Sequence, residues 1–226
     1  MILVGPEGCG KNLVIRSLIH QMKSTQIAII HCNAQTSAFH VIQKLNQMCQ
    51  QTTNAYGRVY RPKEVQRLII YLKDINLPKP DKYDSMQLIS FLQQLICYKG
   101  FYDENLDYVA LERVTIVASM NPSTTLGRHK ISTRFTANVR ICYMDYPNAE
   151  ELLPVYAEFM RTILTHPRFG NGSMATSSKR LSTFLIDVYT QVKSRFSVDE
   201  QRHYLFTPRD ITTMIFSMLR YEIPEA

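Results

Sequence analysis

Met1-Ile2-Leu3-Val4-Gly5-Pro6-Glu7-Gly8-Cys9-Gly10-Lys11-Asn12-Leu13-Val14 is the stretch on which the reading of this chain turns. Four apolar residues run into a glycine loop, and Leu13, Val14, Leu18 and Ile19 follow at helical spacing, so the expected order is strand, loop, helix. Gly5 to Lys11 fits the phosphate-loop pattern G-x-x-x-x-G-K. In that frame glycines let backbone N–H groups face phosphates, and the lysine reaches the terminal ones. Gly5, Pro6, Glu7, Gly8, Cys9, Gly10, Lys11, Asn12 and Leu13 are therefore the expected nucleotide contacts. One position departs from the pattern: Asn12 stands where a Ser or Thr hydroxyl normally ligates magnesium, and its amide oxygen imitates that ligand only weakly. Cys9 reads as a small buried residue.

Outward from this loop, apolar segments alternate between strand and helix character. Ile27 to His31, Leu68 to Leu72, Val114 to Met120 and Val139 to Met144 join Met1 to Val4 as five predicted strands. Between them, Ser37 caps a helix with Val41, Ile42, Leu45, Met48 and Cys49 on one face, and Leu88, Ile89, Leu92, Leu95 and Ile96 mark another. Short, continuously apolar strands alternating with amphipathic helices predict an α/β fold with a five-stranded parallel sheet covered on both faces. After Tyr146-Pro147 only helical spacing remains: Leu152, Tyr156, Phe159 and Ile163, then Leu181, Leu185, Val188 and Val192, then Ile211, Ile215 and Leu219. The expected division is residues 1–146 for the large α/β domain and 147–226 for a small helical lid. The Gly- and Ser-rich stretch from Phe169 to Ser178 is read as a loop inside the lid.

With 226 residues and 45% hydrophobic composition, the chain can bury a core. Five scattered cysteines, without C-x-x-C or a His at ligand spacing, predict neither disulfides nor zinc. No charged-then-apolar leader or membrane-length apolar run is present, so neither secretion nor membrane insertion is expected. The sequon Asn171-Gly172-Ser173 then reads as a polar turn. The formal charge of +7 is dispersed, with no basic run interleaved with aromatics, and no nucleic-acid partner is expected.

A phosphate-loop enzyme also needs acids at the end of a strand, one for the magnesium shell and one to orient the attacking water. Ile69-Ile70-Tyr71-Leu72-Lys73-Asp74 offers one. Spacing leaves two readings open: Asp74 as the metal-shell acid one step late, or Asp74 as the water-orienting acid with Lys73 in the metal-shell place.

Asp74-Ile75-Asn76-Leu77-Pro78, Asp81-Lys82-Tyr83 and Gly100-Phe101-Tyr102-Asp103 resemble the dynein heavy chain pattern D-E-I-N-L/M-P, D-K-Y and G-F-Y. Val117-Ala118-Ser119-Met120-Asn121-Pro122 resembles the dynein sensor-1 strand. Gly127-Arg128 with Arg134-Phe135 is similar to its G-R-x-x-L-x-x-R-F run, and His203-Tyr204-Leu205-Phe206-Thr207-Pro208-Arg209-Asp210 to the H-Y-x-F-x-P-R-D of sensor 2. The resemblance covers nearly the whole chain and implies one AAA+ module of a dynein motor ring, most like the third module of the ciliary retrograde branch, cytoplasmic dynein-2.

The resemblance places Lys73 at the Walker B aspartate and Asp74 at the catalytic glutamate. Unit charges ~4 Å apart at an effective dielectric of ~20 interact by ~4 kcal/mol, so an ammonium there opposes a divalent ion. Asp in place of Glu shortens the reach by a methylene, and a ~1 Å misplacement lowers rate on the order of a hundredfold. By the same resemblance Asn121 holds the attacking water or γ-phosphate, Arg209 faces the nucleotide from the lid, and Arg134 is an arginine finger aimed at an adjacent module. The implied catalytic set is Asp74, Asn121, Arg134 and Arg209, with Asn12 and Asp74 as metal ligands, ATP or ADP as cofactor, and magnesium weakened by Asn12 and Lys73. The implied partners are neighbouring AAA+ modules of the same heavy chain, and microtubules through other parts of the motor, in cytoplasm, cytoskeleton and cilium. Two rivals stay open: a structural ring segment without nucleotide exchange, and an autonomous P-loop ATPase or nucleotide kinase.

Overall fold

A computed structural model of the chain describes residues 1–54, 57–103, 105–165, 177–201 and 203–220. Two compact units divide it: Met1–Pro6 with Gly10–Met144, and Glu7–Cys9 with Asp145–Ala226.

The first unit is built on β1 (Ile2–Val4), α1 (Lys11–Gln21), β2 (Thr25–His31), α2 (Ala38–Met48), β3 (Cys49–Asn54), β4 (Gly57–Pro62), β5 (Arg67–Lys73), α3 (Gln87–Tyr98), β6 (Gly100–Tyr102), β7 (Tyr108–Leu111), β8 (Val114–Met120), α4 (Thr133–Thr136) and β9 (Ile141–Tyr143). Five of these strands form one sheet in the order β2-β5-β8-β1-β9, with every pairing parallel. β5 shows why. Leu68, Ile69, Ile70, Tyr71 and Leu72 are all buried, and successive side chains of a strand point to opposite faces. Leu68, Ile70 and Leu72 join Val41, Leu45, Leu88 and Leu92 from α2 and α3 in one core, while Ile69 and Tyr71 join Ile15 and Ile19 from α1 in another. A strand apolar on both sides needs cover on both sides, and each fully buried Leu or Ile contributes about 2 kcal/mol relative to exposure.

The helix α1 buries Ile15 and Ile19 and leaves Leu13 and Leu18 exposed, at 73% and 52%. The expected apolar face, Leu13-Val14-Leu18-Ile19, is thus rotated: the glycine loop fixes the helix start at Lys11, and that start fixes which residues meet the sheet. The predicted N-cap of α2 is in place, with the Ser37 N–H donating to Nδ1 of His40 at 3.2 Å. The predicted last strand, 139–144, is shorter in the structure, at Ile141–Tyr143.

A second sheet, in the order β3-β4-β7-β6, was not anticipated. Cys49, expected to end a helical stripe, is the C-cap of α2 and the first residue of β3. The sheet joins β3 and β4 as an antiparallel hairpin, and Arg58 ties it to the loop after β6 through Asp103 at 3.5 Å and Asp107 at 3.1 Å.

The second unit contains α5 (Ala149–Leu164), α6 (Ser178–Arg195), α7 (Pro208–Ser217) and a 3-10 turn, Met218–Arg220. Asn148 and Glu151 form a capping box that starts α5. On α6 the buried face is Ser178, Ser182, Ile186 and Tyr189, one step off the expected Leu181-Leu185-Val188-Val192 stripe. Serines suit this face because they are small and because Ser182 Oγ returns its hydrogen bond to the Ser178 carbonyl at 2.9 Å, so little polar cost remains. The expected loop from Phe169, with the sequon at Asn171, lies through residue 176 outside the described residues.

Candidate functional site

The phosphate loop is rooted in the sheet: β1 ends at Val4, and the Gly5 N–H donates to the Met120 carbonyl at the end of β8, at 3.3 Å. Gly10 takes the left-handed conformation, φ 94, and caps α1, its carbonyl accepting from the N–H groups of Leu13 at 2.9 Å and Val14 at 3.1 Å. Gly8 also has positive φ, 77. An L side chain in this region costs about 1–2 kcal/mol, so the loop requires glycine at both places. Lys11 Nζ donates to the carbonyls of Gly5 at 2.8 Å and Pro6 at 2.7 Å. Asn12 is half-buried, and its Oδ1 is enclosed without a hydrogen-bond partner. Glu7, Gly8 and Cys9 are grouped with the second unit, where the Glu7 carbonyl accepts from the Tyr146 hydroxyl at 2.6 Å.

Neighbouring strands β5, β8 and β1 run parallel, so the residues that follow them emerge at one edge of the sheet. Open parallel sheets bind ligands beyond this carboxyl edge. The topology brings Asp74, Asn121 and Gly5 there, following the three strands in that order. Lys73 closes β5 in register with His31 on β2 and Ser119 on β8. Asp74 takes positive φ, 61, which Asp tolerates better than most residues. Asn121 is buried at 4% exposure, and its carbonyl accepts from Asn76 Nδ2 at 2.8 Å. Burial first, and the Asp74 charge second, push the Cys32 thiol up to about 12.

Arg128 joins this edge, its Nη1 3.3 Å from Asp74 Oδ1. Arg128 belongs to the Gly127-Arg128 run, and nothing local in the sequence announces its contact with Asp74 far up the chain. Arg134 is exposed on the four-residue helix α4. Arg209 is exposed as the second residue of α7, after the N-cap Thr207 and Pro208 at the first helical position, the local arrangement the sequence predicted.

A five-stranded parallel sheet, covered by helices and carrying a glycine loop between its strand β1 and helix α1, defines a P-loop fold of the AAA+ type. Residues 1–147 match the family described as P-loop containing dynein motor region, and residues 159–226 match the dynein heavy chain ATPase lid domain. The chain belongs to the dynein heavy chain family. It is 51% identical over 225 residues to cytoplasmic dynein 2 heavy chain 1 of Tripneustes gratilla and 48% identical over 225 residues to that of Homo sapiens, in each case covering 98% of this chain and 5% of the relative. A cytoplasmic dynein heavy chain of Caenorhabditis elegans is 31% identical over 217 residues, 95% of this chain and 5% of the relative. The chain thus spans about 5% of the length of the known relatives it matches. Among the described residues, no helix is long and apolar enough to cross a membrane.

Proposed function

We propose that this chain is a nucleotide-binding regulatory module of a dynein heavy chain, corresponding to the third AAA+ module, with weak or absent hydrolysis of its own. The observation that carries the reading is the loop geometry: two positive-φ glycines, and Lys11 held against the Gly5 and Pro6 carbonyls with its ammonium at the loop. Such a loop suits ATP or ADP, whose phosphates accept from backbone N–H groups and from a lysine. Magnesium fits less well. The enclosed, unpartnered Oδ1 of Asn12 is one neutral donor, and the carboxylate of Asp74 is already paired with Arg128. Lys73 adds positive charge where the family expects an acid, so Asn12 and Asp74 would hold the ion only weakly. Asn121 would contact the attacking water or γ-phosphate, Arg209 would act as sensor 2, and Arg134 would act on a neighbouring module.

In this reading the bound nucleotide biases the geometry of the motor ring, whose neighbouring modules are the direct partners. Microtubules, cytoplasm, cytoskeleton and cilium follow from the dynein 2 likeness and belong to the whole motor. Isothermal titration tests the core of it. The 226-residue chain should bind ATP and ADP, and Lys11→Ala should weaken both at least tenfold, as loss of a charge-assisted contact to phosphate implies. No heat with either nucleotide would favour a structural ring segment. Appreciable turnover by the isolated chain would favour an autonomous ATPase.

A further inference from the structure

The segments leaving β5 and β8 side by side are joined at three points. Asn76 Nδ2 donates to the Asn121 carbonyl at 2.8 Å, the His129 N–H donates to the Asn76 carbonyl at 3.0 Å, and Arg128 Nη1 stands 3.3 Å from Asp74 Oδ1. The first two contacts use neutral amide groups and set the spacing of the segments. The third joins two charges. Its side chains are 11% and 28% exposed, so it is better shielded from water than the surface pairs that contribute almost nothing. Yet at 3.3 Å it is an ion pair rather than an aligned hydrogen bond. A guanidinium in an ion pair can exchange one anion for another, since its planar fork donates to carboxylate and phosphate oxygens alike. Both partners stand at the carboxyl edge where the phosphate loop begins.

We propose, on the reading of this edge as a nucleotide site, that Arg128 is a latch on Asp74. It is a positioning residue that holds the carboxylate until the terminal phosphate of a nucleoside triphosphate draws the guanidinium away. A diphosphate lacks that phosphate and leaves the pair closed. Asp74 is then withheld with diphosphate bound and released with triphosphate bound. Coupling is reciprocal, so the pair and the terminal phosphate compete for one arginine. The two partners therefore have opposite signatures: losing Arg128 removes a ligand of the terminal phosphate, and losing the charge of Asp74 removes that phosphate's competitor.

The experiment is titration calorimetry of the 226-residue chain with ADP and with a β,γ-imido analogue of ATP, using wild type, Arg128→Gln, Arg128→Lys and Asp74→Asn. Arg128→Gln lowers the ratio of triphosphate to diphosphate affinity about tenfold, and Asp74→Asn raises it by a similar factor, within the usual range for coupled sites. Arg128→Lys, which keeps the charge and loses the fork, falls between wild type and Arg128→Gln. A ratio that stays at the wild-type value in both charge-removing variants, or moves the same way in both, overturns the latch while Lys11-dependent binding stands. Failure of the wild-type chain to bind either nucleotide overturns the latch together with the reading beneath it. Should Arg128→Gln not fold, Asp74→Asn and Arg128→Lys decide the sign between them.

Discussion

On the proposed reading, Lys73 and Asp74 hold the chemistry of this module in two adjacent positions. Lys73 ends β5 where the dynein resemblance implies an acid, and Asp74 follows in the left-handed region. The positive φ explains a preference for Asp over Glu, because a short polar side chain visits this region at lower cost. Restoring both family residues, Lys73→Asp with Asp74→Glu, should raise phosphate release on the order of a hundredfold in a ring that supplies the neighbouring modules, since reach and charge are both corrected. The same pair should lower stability by about 1 kcal/mol through the strained Glu, read as a lower melting temperature. No gain in phosphate release would mean that the acids were not the limiting defect. At this scale the glycine-loop spacing singles out Lys11 and Asn12 in the sequence, whereas spacing alone leaves two readings for Asp74. The sequence is silent on Arg128, because a contact made by folding leaves no local pattern.

Among the elements, those with a strong hydrophobic period were readable and those without it were not. Leu68 to Leu72 is a continuous apolar run, and it lies in a strand buried on both faces. By contrast β3 reads Cys-Gln-Gln-Thr-Thr-Asn, with no apolar alternation, and β6 is three residues long, so neither announces a strand. Their sheet depends on pairings between segments distant in sequence, such as Arg58 with Val109. Helix existence was legible for α1 and α6 but helix phase was not, because phase was decided by the loop before α1 and by serines that pack as small residues on α6. The second sheet has a sharp test at Gly100. A Cβ there would collide with the Val109 carbonyl and the Tyr108 ring, and a backbone carbonyl cannot swing aside. Gly100→Ala should therefore cost about 3 kcal/mol, measured as a shift in the denaturant midpoint.

Across the whole molecule, the five cysteines record the fold chemically. Cys9, Cys32 and Cys49 are buried, whereas Cys97 and Cys142 are exposed. Burial pushes the Cys32 thiol up to about 12 and the Cys49 thiol up to about 11. Only a thiolate attacks a disulfide reagent, so two thiols should react quickly at pH 8 and three only on unfolding. Mass-mapped labelling at positions other than 97 and 142 in the native chain would contradict this placement. The same shifts set a direction for stability. The native state keeps these thiols protonated at pH values where the unfolded chain ionises them, so their contribution is complete below about 9 and is lost as pH rises toward 11 and 12. Of the five, only Cys9 is read as buried from the sequence, since exposure of the others depends on helix phase and strand position.

The seating of β1 between β8 and β9, parallel to both, has a mechanical consequence. A tug along this strand meets two rows of rungs in shear, and the rungs must yield together instead of peeling one by one. In a family of motors, that doubly bonded strand runs straight into Gly5, where the loop that would grip phosphate begins, so a pull on the chain there is resisted in shear before the strand end can peel away.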